Sequence, residues 1–298
     1  MNDLKQVLVG IDFSPASAAA LKQAMRIAKW SQAGVKAVHI LESLMVLDIQ
    51  EAMTVMQEDI VNMLVDDAKK SWIDFAAKVP GAAEIPFESE INSAVAGLTR
   101  RAGEPGVGLL VLGTRNPEMK KPVGPVAVGC VRRSPSDVLL VQDPHDKPYT
   151  TVIACVDFSD TSRRAVEQAA AVAARDSATL YVVHAYSTPW RKSTLKKSAK
   201  VADLDVRFRE MMLSRLEEFC KPMGAEMSYL KPRYQLIEHD THAHGIGEFA
   251  RQIGADLVVL GKRGRTNMRD VFLGSTAERV LRDAPCSILA VRPAASER

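Results

Sequence analysis

Val7-Leu8-Val9-Gly10-Ile11-Asp12-Phe13-Ser14 and Val152-Ile153-Ala154-Cys155-Val156-Asp157-Phe158-Ser159 are two copies of one signal, an apolar run ending on Asp-Phe-Ser. A run this short, closed by polar residues, reads as a strand buried on both faces. Ser14-Pro15 then supplies a helix N-cap with proline at the first helical position. Ala20, Leu21, Ala24, Ile27 and Ala28 follow at helical spacing. Sliding the chain by 145 residues lays the first copy on the second, and the match runs on through Ser17, Ala20, Gln23, Ala24, Ala28, Val38 and His39. The ends of the two halves also correspond, Ser134-Pro135-Ser136-Asp137-Val138-Leu139-Leu140-Val141 lying on Ala284-Pro285-Cys286-Ser287-Ile288-Leu289-Ala290-Val291. A unit repeated in this way is one structural module used twice.

Working outward, the first half predicts strands at Val7–Ile11, Val35–Leu41, Pro86–Ile91, Leu109–Leu112 and Val138–Val141. A long helix carries Met53, Met56, Ile60, Met63, Leu64, Ala68, Trp72 and Phe75 on one stripe and stops before Pro80-Gly81. The second half predicts strands near 151–156, 179–185, 231–237, 256–260 and 287–291. Strands alternating with helices imply parallel sheets with right-handed crossovers. Domains over residues 1–143 and 149–298 are expected, joined through Gln142-Asp143-Pro144-His145-Asp146-Lys147-Pro148.

The chain has 298 residues, 47% hydrophobic and 25% charged, so either half is long enough to bury a core. A net charge of +3 is too mild for a nucleic-acid protein, and no nucleic-acid partner is expected. No apolar run approaches the ~20 residues of a membrane span, so no membrane partner is expected. Cys130, Cys155, Cys220 and Cys286 lack C-x-x-C spacing and read as reduced thiols, and the N-terminus lacks the shape of a signal peptide. A cytoplasmic location is the expectation.

The stretch that carries chemistry follows the strand at 256–260: Gly261-Lys262-Arg263-Gly264-Arg265-Thr266-Asn267-Met268-Arg269-Asp270-Val271-Phe272-Leu273-Gly274-Ser275-Thr276, with the spacing G-x2-G-x9-G-S. Glycines at 261 and 264 let the backbone turn tightly and approach an anion. Gly274-Ser275-Thr276 opens a helix whose unpaired N–H groups and dipole favour phosphate. Lys262, Arg263 and Arg265 add positive charge. In a doubly wound sheet the ligand sits at the carboxyl ends of the strands, where Asp157 ends its strand.

These residues resemble the universal stress protein family, whose ATP-binding members carry this pattern after the fourth strand. The resemblance spans nearly the whole chain, twice, through Val-Asp-Phe-Ser, through Val38-His39 and Val183-His184, and through Ala255-Asp256-Leu257-Val258-Val259-Leu260-Gly261. It implies an α/β fold of two tandem doubly wound five-stranded parallel-sheet domains, adenine nucleotide α-hydrolase-like and Rossmann-like, with strand order 3-2-1-4-5. It also implies ATP as ligand, Asp157 at the ribose or at a phosphate-bound Mg2+, and adenine held by the backbone around Val183, His184 and Ala185. A regulatory stress-response role with little or no turnover follows from it. The family often pairs its final strands, which would join Val138–Val141 to Ser287–Val291 as a pseudo-dimer, and a homo-oligomer is expected on top.

The first half departs from the pattern. Gly113-Thr114-Arg115-Asn116-Pro117-Glu118-Met119-Lys120-Lys121-Pro122-Val123-Gly124-Pro125 puts Asn116 where Gly264 stands and Pro125 where Ser275 stands, and shortens the spacer. Proline brings neither hydroxyl nor N–H. The first domain is therefore expected to hold no ATP in the manner of the second.

Other constellations have plain structural alternatives. His239, His242 and His244 with Asp240 offer zinc-type ligands, or else a polar helix start capped by Asp240 or Thr241. His39 and His184 end matching strands and read as structural. Five cations within Arg191–Lys200 form a phosphate-attracting lid or a solvated loop. Two further functions stay open: a scaffold for another ligand or protein partner, and a nucleotide-dependent transferase or hydrolase. The latter would need a phosphate motif directly after the first strand, where Asp157-Phe158-Ser159-Asp160 carries no glycine signature.

Overall fold

The computed structural model describes residues 4–43, 57–114, 123–188, 190, 199–264, 273–283 and 285–293. The chain divides into two units, Met1–Lys147 and Pro148–Arg298. In the first unit the order is β1 (Gln6–Gly10), α1 (Pro15–Ser31), β2 (Gly34–Glu42), α2 (Gln57–Ala76), β3 (Phe87–Asn92), α3 (Ala94–Ala102), β4 (Val107–Thr114), α4 (Pro125–Arg133) and β5 (Asp137–Gln142). In the second it is β6 (Thr151–Cys155), α5 (Asp160–Asp176), β7 (Thr179–Tyr186), α6 (Ala199–Cys220), a 3-10 turn (Lys221–Met223), α7 (Gly224–Leu230), β8 (Arg233–Glu238), α8 (His242–Ile253), β9 (Leu257–Gly261), α9 (Ser275–Asp283) and β10 (Ser287–Val291).

Within the first unit β1 pairs in parallel with β2 and β4, β2 with β3, and β4 with β5. Within the second, β6 pairs in parallel with β7 and β9, β7 with β8, and β9 with β10. Each unit thus has the order 3-2-1-4-5, and its chain reverses direction across the sheet between its first and fourth strands. That reversal opens a crevice at the carboxyl ends of those two strands.

The central strands are apolar throughout because helices cover both faces. Leu110, Val111, Val258 and Val259 are all 0% exposed. Ser14 and Ser159 cap α1 and α5, accepting the N–H of Ser17 and of Ser162 at 3.2 and 3.1 Å. Both helices end in left-handed C-caps, Gln32 and Ser177.

The departures from expectation are local. β4 runs beyond Leu109–Leu112 at both ends, and the outer strands β3 and β8 start later than the pattern implied. The 3-10 turn and α7, which bring the chain from α6 back to the sheet edge, carry too little periodicity to be read in advance. Met53 and Met56, the cationic stretch 191–198 and the first-unit loop 115–122 lie outside the described residues.

Candidate functional site

The turn after β6 is built from three residues with separate tasks. Phe158 adopts φ 65°, a left-handed conformation that a bulky side chain takes at a steric cost. This brings its ring against His184, with centroids 4.5 Å apart, and the Arg215 guanidinium lies over the ring at 4.3 Å. Asp157 turns its Oδ1 inward, accepting the Ser159 amide at 3.0 Å and the Ser159 hydroxyl at 2.5 Å. The carboxylate is thereby oriented by the cap of α5.

His184 is fixed from the other side. Its Nδ1 lies 2.7 Å from the Val156 carbonyl, so Nδ1 carries the proton and Nε2 keeps its lone pair. Burial holds its pKa below the ordinary histidine value, against the pull of the Val156 hydrogen bond. The ring is a neutral spacer between the ends of β6 and β7. The Val183 carbonyl accepts the Val156 N–H at 2.8 Å, and the Tyr186 carbonyl accepts the His239 N–H at 2.9 Å. Since backbone groups alternate sides along a strand, Ala185 turns its N–H and C=O to the crevice and His184 turns them toward β8. Of the segment around Val183, His184 and Ala185, the backbone at Ala185 is therefore the part that faces the crevice.

The glycine loop closes on this carboxylate. A Cβ at Gly261 would sit 2.8 Å from Thr161 Cγ2, so β9 ends too close to α5 for any side chain. A Cβ at Gly264 would sit 2.8 Å from Asp157 Oδ2, which places loop backbone directly against the acid. A Cβ at Gly274 would lie 3.8 Å from the Gly264 nitrogen, and the Gly274 N–H donates to the Lys262 carbonyl at 3.0 Å. The two ends of the loop therefore meet beside Asp157. Gly274 also supplies the first carbonyl of α9, accepting the Glu278 N–H at 2.9 Å. Ser275 and Thr276 are exposed at the mouth of that helix, Arg263 is half-buried, and Lys262 is 6% exposed with its N–H donating to the Val291 carbonyl. Arg265 lies outside the described residues. The structure thus gathers Asp157, Ala185, Gly261, Gly264, Gly274, Ser275 and Thr276 around one crevice. Its carboxylate, amides and helix terminus can hold a metal-bound anion.

The thiols nearby are inert. Burial, then the Asp157 charge, pushes the Cys155 thiol up to about 12, and burial does the same to Cys286. A thiol that stays protonated is no nucleophile.

The histidine cluster takes a different form from the one expected. His239, His244 and Glu248 come together, while His242 stays out of the group. Glu248 joins because it lies one helical turn after His244, a spacing legible in the sequence. Thr241 occupies the N-cap of α8, but its hydroxyl makes no cap bond. Its N–H donates instead to His239 Nδ1 at 2.9 Å. His239 therefore carries its proton on Nε2, the nitrogen facing Glu248 at 3.8 Å, and His244 Nε2 meets Glu248 at 3.1 Å. A carboxylate bracketed by imidazole N–H groups explains the cluster as a helix-start network. Ligation through His239 Nε2 would need the other tautomer and would sacrifice the Thr241 bond.

The first unit repeats the turn. Phe13 has φ 62° and packs tilted against His39, with centroids 4.7 Å apart, and His39 Nδ1 meets the Ile11 carbonyl at 2.7 Å. Asp12 accepts the Ser14 amide and hydroxyl at 3.1 and 2.5 Å. At Gly124 the resemblance ends, since an added Cβ there would meet nothing within 4 Å. α4 begins on Gly124 and Pro125 with no side-chain cap bond.

A family model described as the universal stress protein family matches residues 3–142 and 148–292. A universal stress protein encoded in the QAH/OAS sulfhydrylase 3′ region of Thermus aquaticus is 34% identical over 148 residues, 48% of this chain and 99% of the relative. Among solved structures, a universal stress protein from Archaeoglobus fulgidus superposes with a TM-score of 0.66 at 19% identity, covering 96% of this chain and 98% of its own. A functionally unknown protein from Pseudomonas aeruginosa PAO1 gives 0.61 at 19% identity, covering 98% and 94%. At that identity the structural matches speak for the fold alone.

Proposed function

Because the chain belongs to the universal stress protein family, with one copy of the family domain in each half, we propose that its second unit is an ATP-binding regulatory module that turns its ligand over slowly or not at all. The observation that carries this reading is the approach of Gly264 to Asp157, where a single added carbon would lie 2.8 Å from the carboxylate. Such closeness leaves loop amides and an acid facing one small space, an arrangement suited to a phosphate chain with its Mg2+.

Each residue then has a task. Ala185 offers backbone groups to the adenine. Asp157 accepts from the ribose or holds the phosphate-bound Mg2+. Gly261 and Gly264 bring backbone to the phosphates, Gly274, Ser275 and Thr276 present the helix mouth, and Lys262, Arg263 and Arg265 supply charge. Mg2+ would neutralise phosphate charge beside Asp157. What supports slow turnover is that the Cys155 thiol stays protonated and that His184, its pKa lowered by burial, is a weak base. The same reading makes the protein a homo-oligomer of the cytoplasm. Its four cysteines form no disulfide, and no described helix is long and apolar enough to cross a membrane.

Two measurements test this. Denaturing the purified protein and separating released small molecules should yield adenine nucleotide. Calorimetry with MgATP on stripped protein should show one site per chain, lost in Gly264→Val. Absence of heat in the stripped wild-type protein would discard the reading.

A further inference from the structure

The first unit keeps a crevice although it lacks the phosphate cradle. The cavity at the carboxyl ends of β1 and β4 has a volume of about 730 Å³. That is within the roughly 300–1,000 Å³ of small-molecule sites. Ile11, Val38, Ile40, Leu98, Leu112 and Ala127 make much of its wall apolar.

The polar groups of the wall are spent on the protein itself. The Ser14 hydroxyl donates to Asp12, Ser17 Oγ donates to the Ser14 carbonyl, Thr114 Oγ1 donates to the Val141 carbonyl and His39 Nδ1 is held by Ile11. Two acidic residues also line it, Asp12 and Asp143, and its described lining holds no lysine or arginine. Burial raises the Asp12 carboxyl, but hydrogen bonds from the Ser14 hydroxyl and amide outweigh it, so the group titrates below the usual carboxylate range and stays charged. Its contact with Ser14 uses Oδ1. The helix that would offer N–H groups to an anion opens with Pro125, which has none.

An apolar cavity whose charged lining residues are both acidic focuses negative potential and disfavours phosphate. We propose that the crevice of the first unit is a second ligand site of opposite charge preference, taking a small organic cation with an apolar body. The reading is independent of ATP in the second unit. One chain would then sense two chemically unlike small molecules through two copies of one module.

Three indoles of matched shape and different charge test this by calorimetry on the full chain at low salt: tryptamine (cationic), tryptophol (neutral) and indole-3-acetate (anionic). Tryptamine should bind at one site per chain, about tenfold tighter than tryptophol, the scale of one partly screened charge pair, and indole-3-acetate should give no saturable heat. Asp12→Asn should bring tryptamine down to the tryptophol level, and Asp157→Asn should leave it unchanged. Ala94→Trp, which fills the cavity from the start of α3, should remove both ligands. Val126→Trp serves the same end from α4 if the first variant misfolds. No saturable tryptamine binding overturns the proposal. So does loss of it in Asp157→Asn instead of Asp12→Asn. Binding of indole-3-acetate as tight as tryptamine would also overturn it.

Discussion

Gly264 and Gly124, in the corresponding loops of the two units though not at aligned positions, meet different surroundings. A valine at Gly264 must displace the Asp157 carboxylate 2.8 Å away, whereas a valine at Gly124 enters open space. Gly264→Val should weaken MgATP binding by at least ~100-fold, about 2.7 kcal/mol, with little change in the melting of the unit. Gly124→Val should leave MgATP binding as it was. Equal effects in calorimetry would refute the asymmetry between the units. His184 makes a separate prediction. Burial lowers its folded pKa, so the unfolded chain takes up the proton first as the pH falls below about 6.5. The histidine costs nothing above that pH and costs stability below it, at most about 1.4 kcal/mol per pH unit. His242, lowered by burial and then by His239, acts in the same direction. Urea midpoints at pH 7.5 and 5.5 should differ less in His184→Gln than in the wild type.

At the scale of elements, each Asp-Phe-Ser turn joins a strand to a helix and aims a carboxylate in one stroke. The serine caps the helix and also donates to the acid. Ser159→Ala and Ser14→Ala should each cost about 1 kcal/mol through the lost cap. Ser159→Ala should also loosen ligand binding, because Asp157 loses one of its two donors. In the denaturant curves, a stability loss in Ser159→Ala with unchanged MgATP affinity would separate the two roles and contradict the coupling. Further from the site, Leu21 is 0% exposed on α1. Leu21→Ala should destabilise the first unit by about 2–5 kcal/mol through the cavity left behind, read as a shift of that unit's urea transition.

For the whole molecule, the two proposals together would set the two copies of one module to different ligands. Saturation with MgATP at 100 times its dissociation constant should stabilise the second unit by about 2.7 kcal/mol and leave the first unit's transition in place. Calorimetric scanning resolves whether one transition moves or both. The duplicated α/β architecture was determined by the sequence alone, since burial makes central strands such as Val258–Val259 uniformly apolar and makes helices periodic, and both patterns are local. The glycines at 261, 264 and 274 were legible too, as a spacing that encodes backbone freedom residue by residue. The short α7 was not, because seven residues hold too little of a period to stand out. Tertiary structure alone decided that Gly264 faces Asp157, that Ala185 and not His184 turns its backbone to the crevice, that His239 spends Nδ1 on Thr241, and that the first unit retains a cavity lined in part by Asp12 and Asp143. Those are distances and directions between segments far apart in the chain, and they exist only once the sheet has set the strands in register.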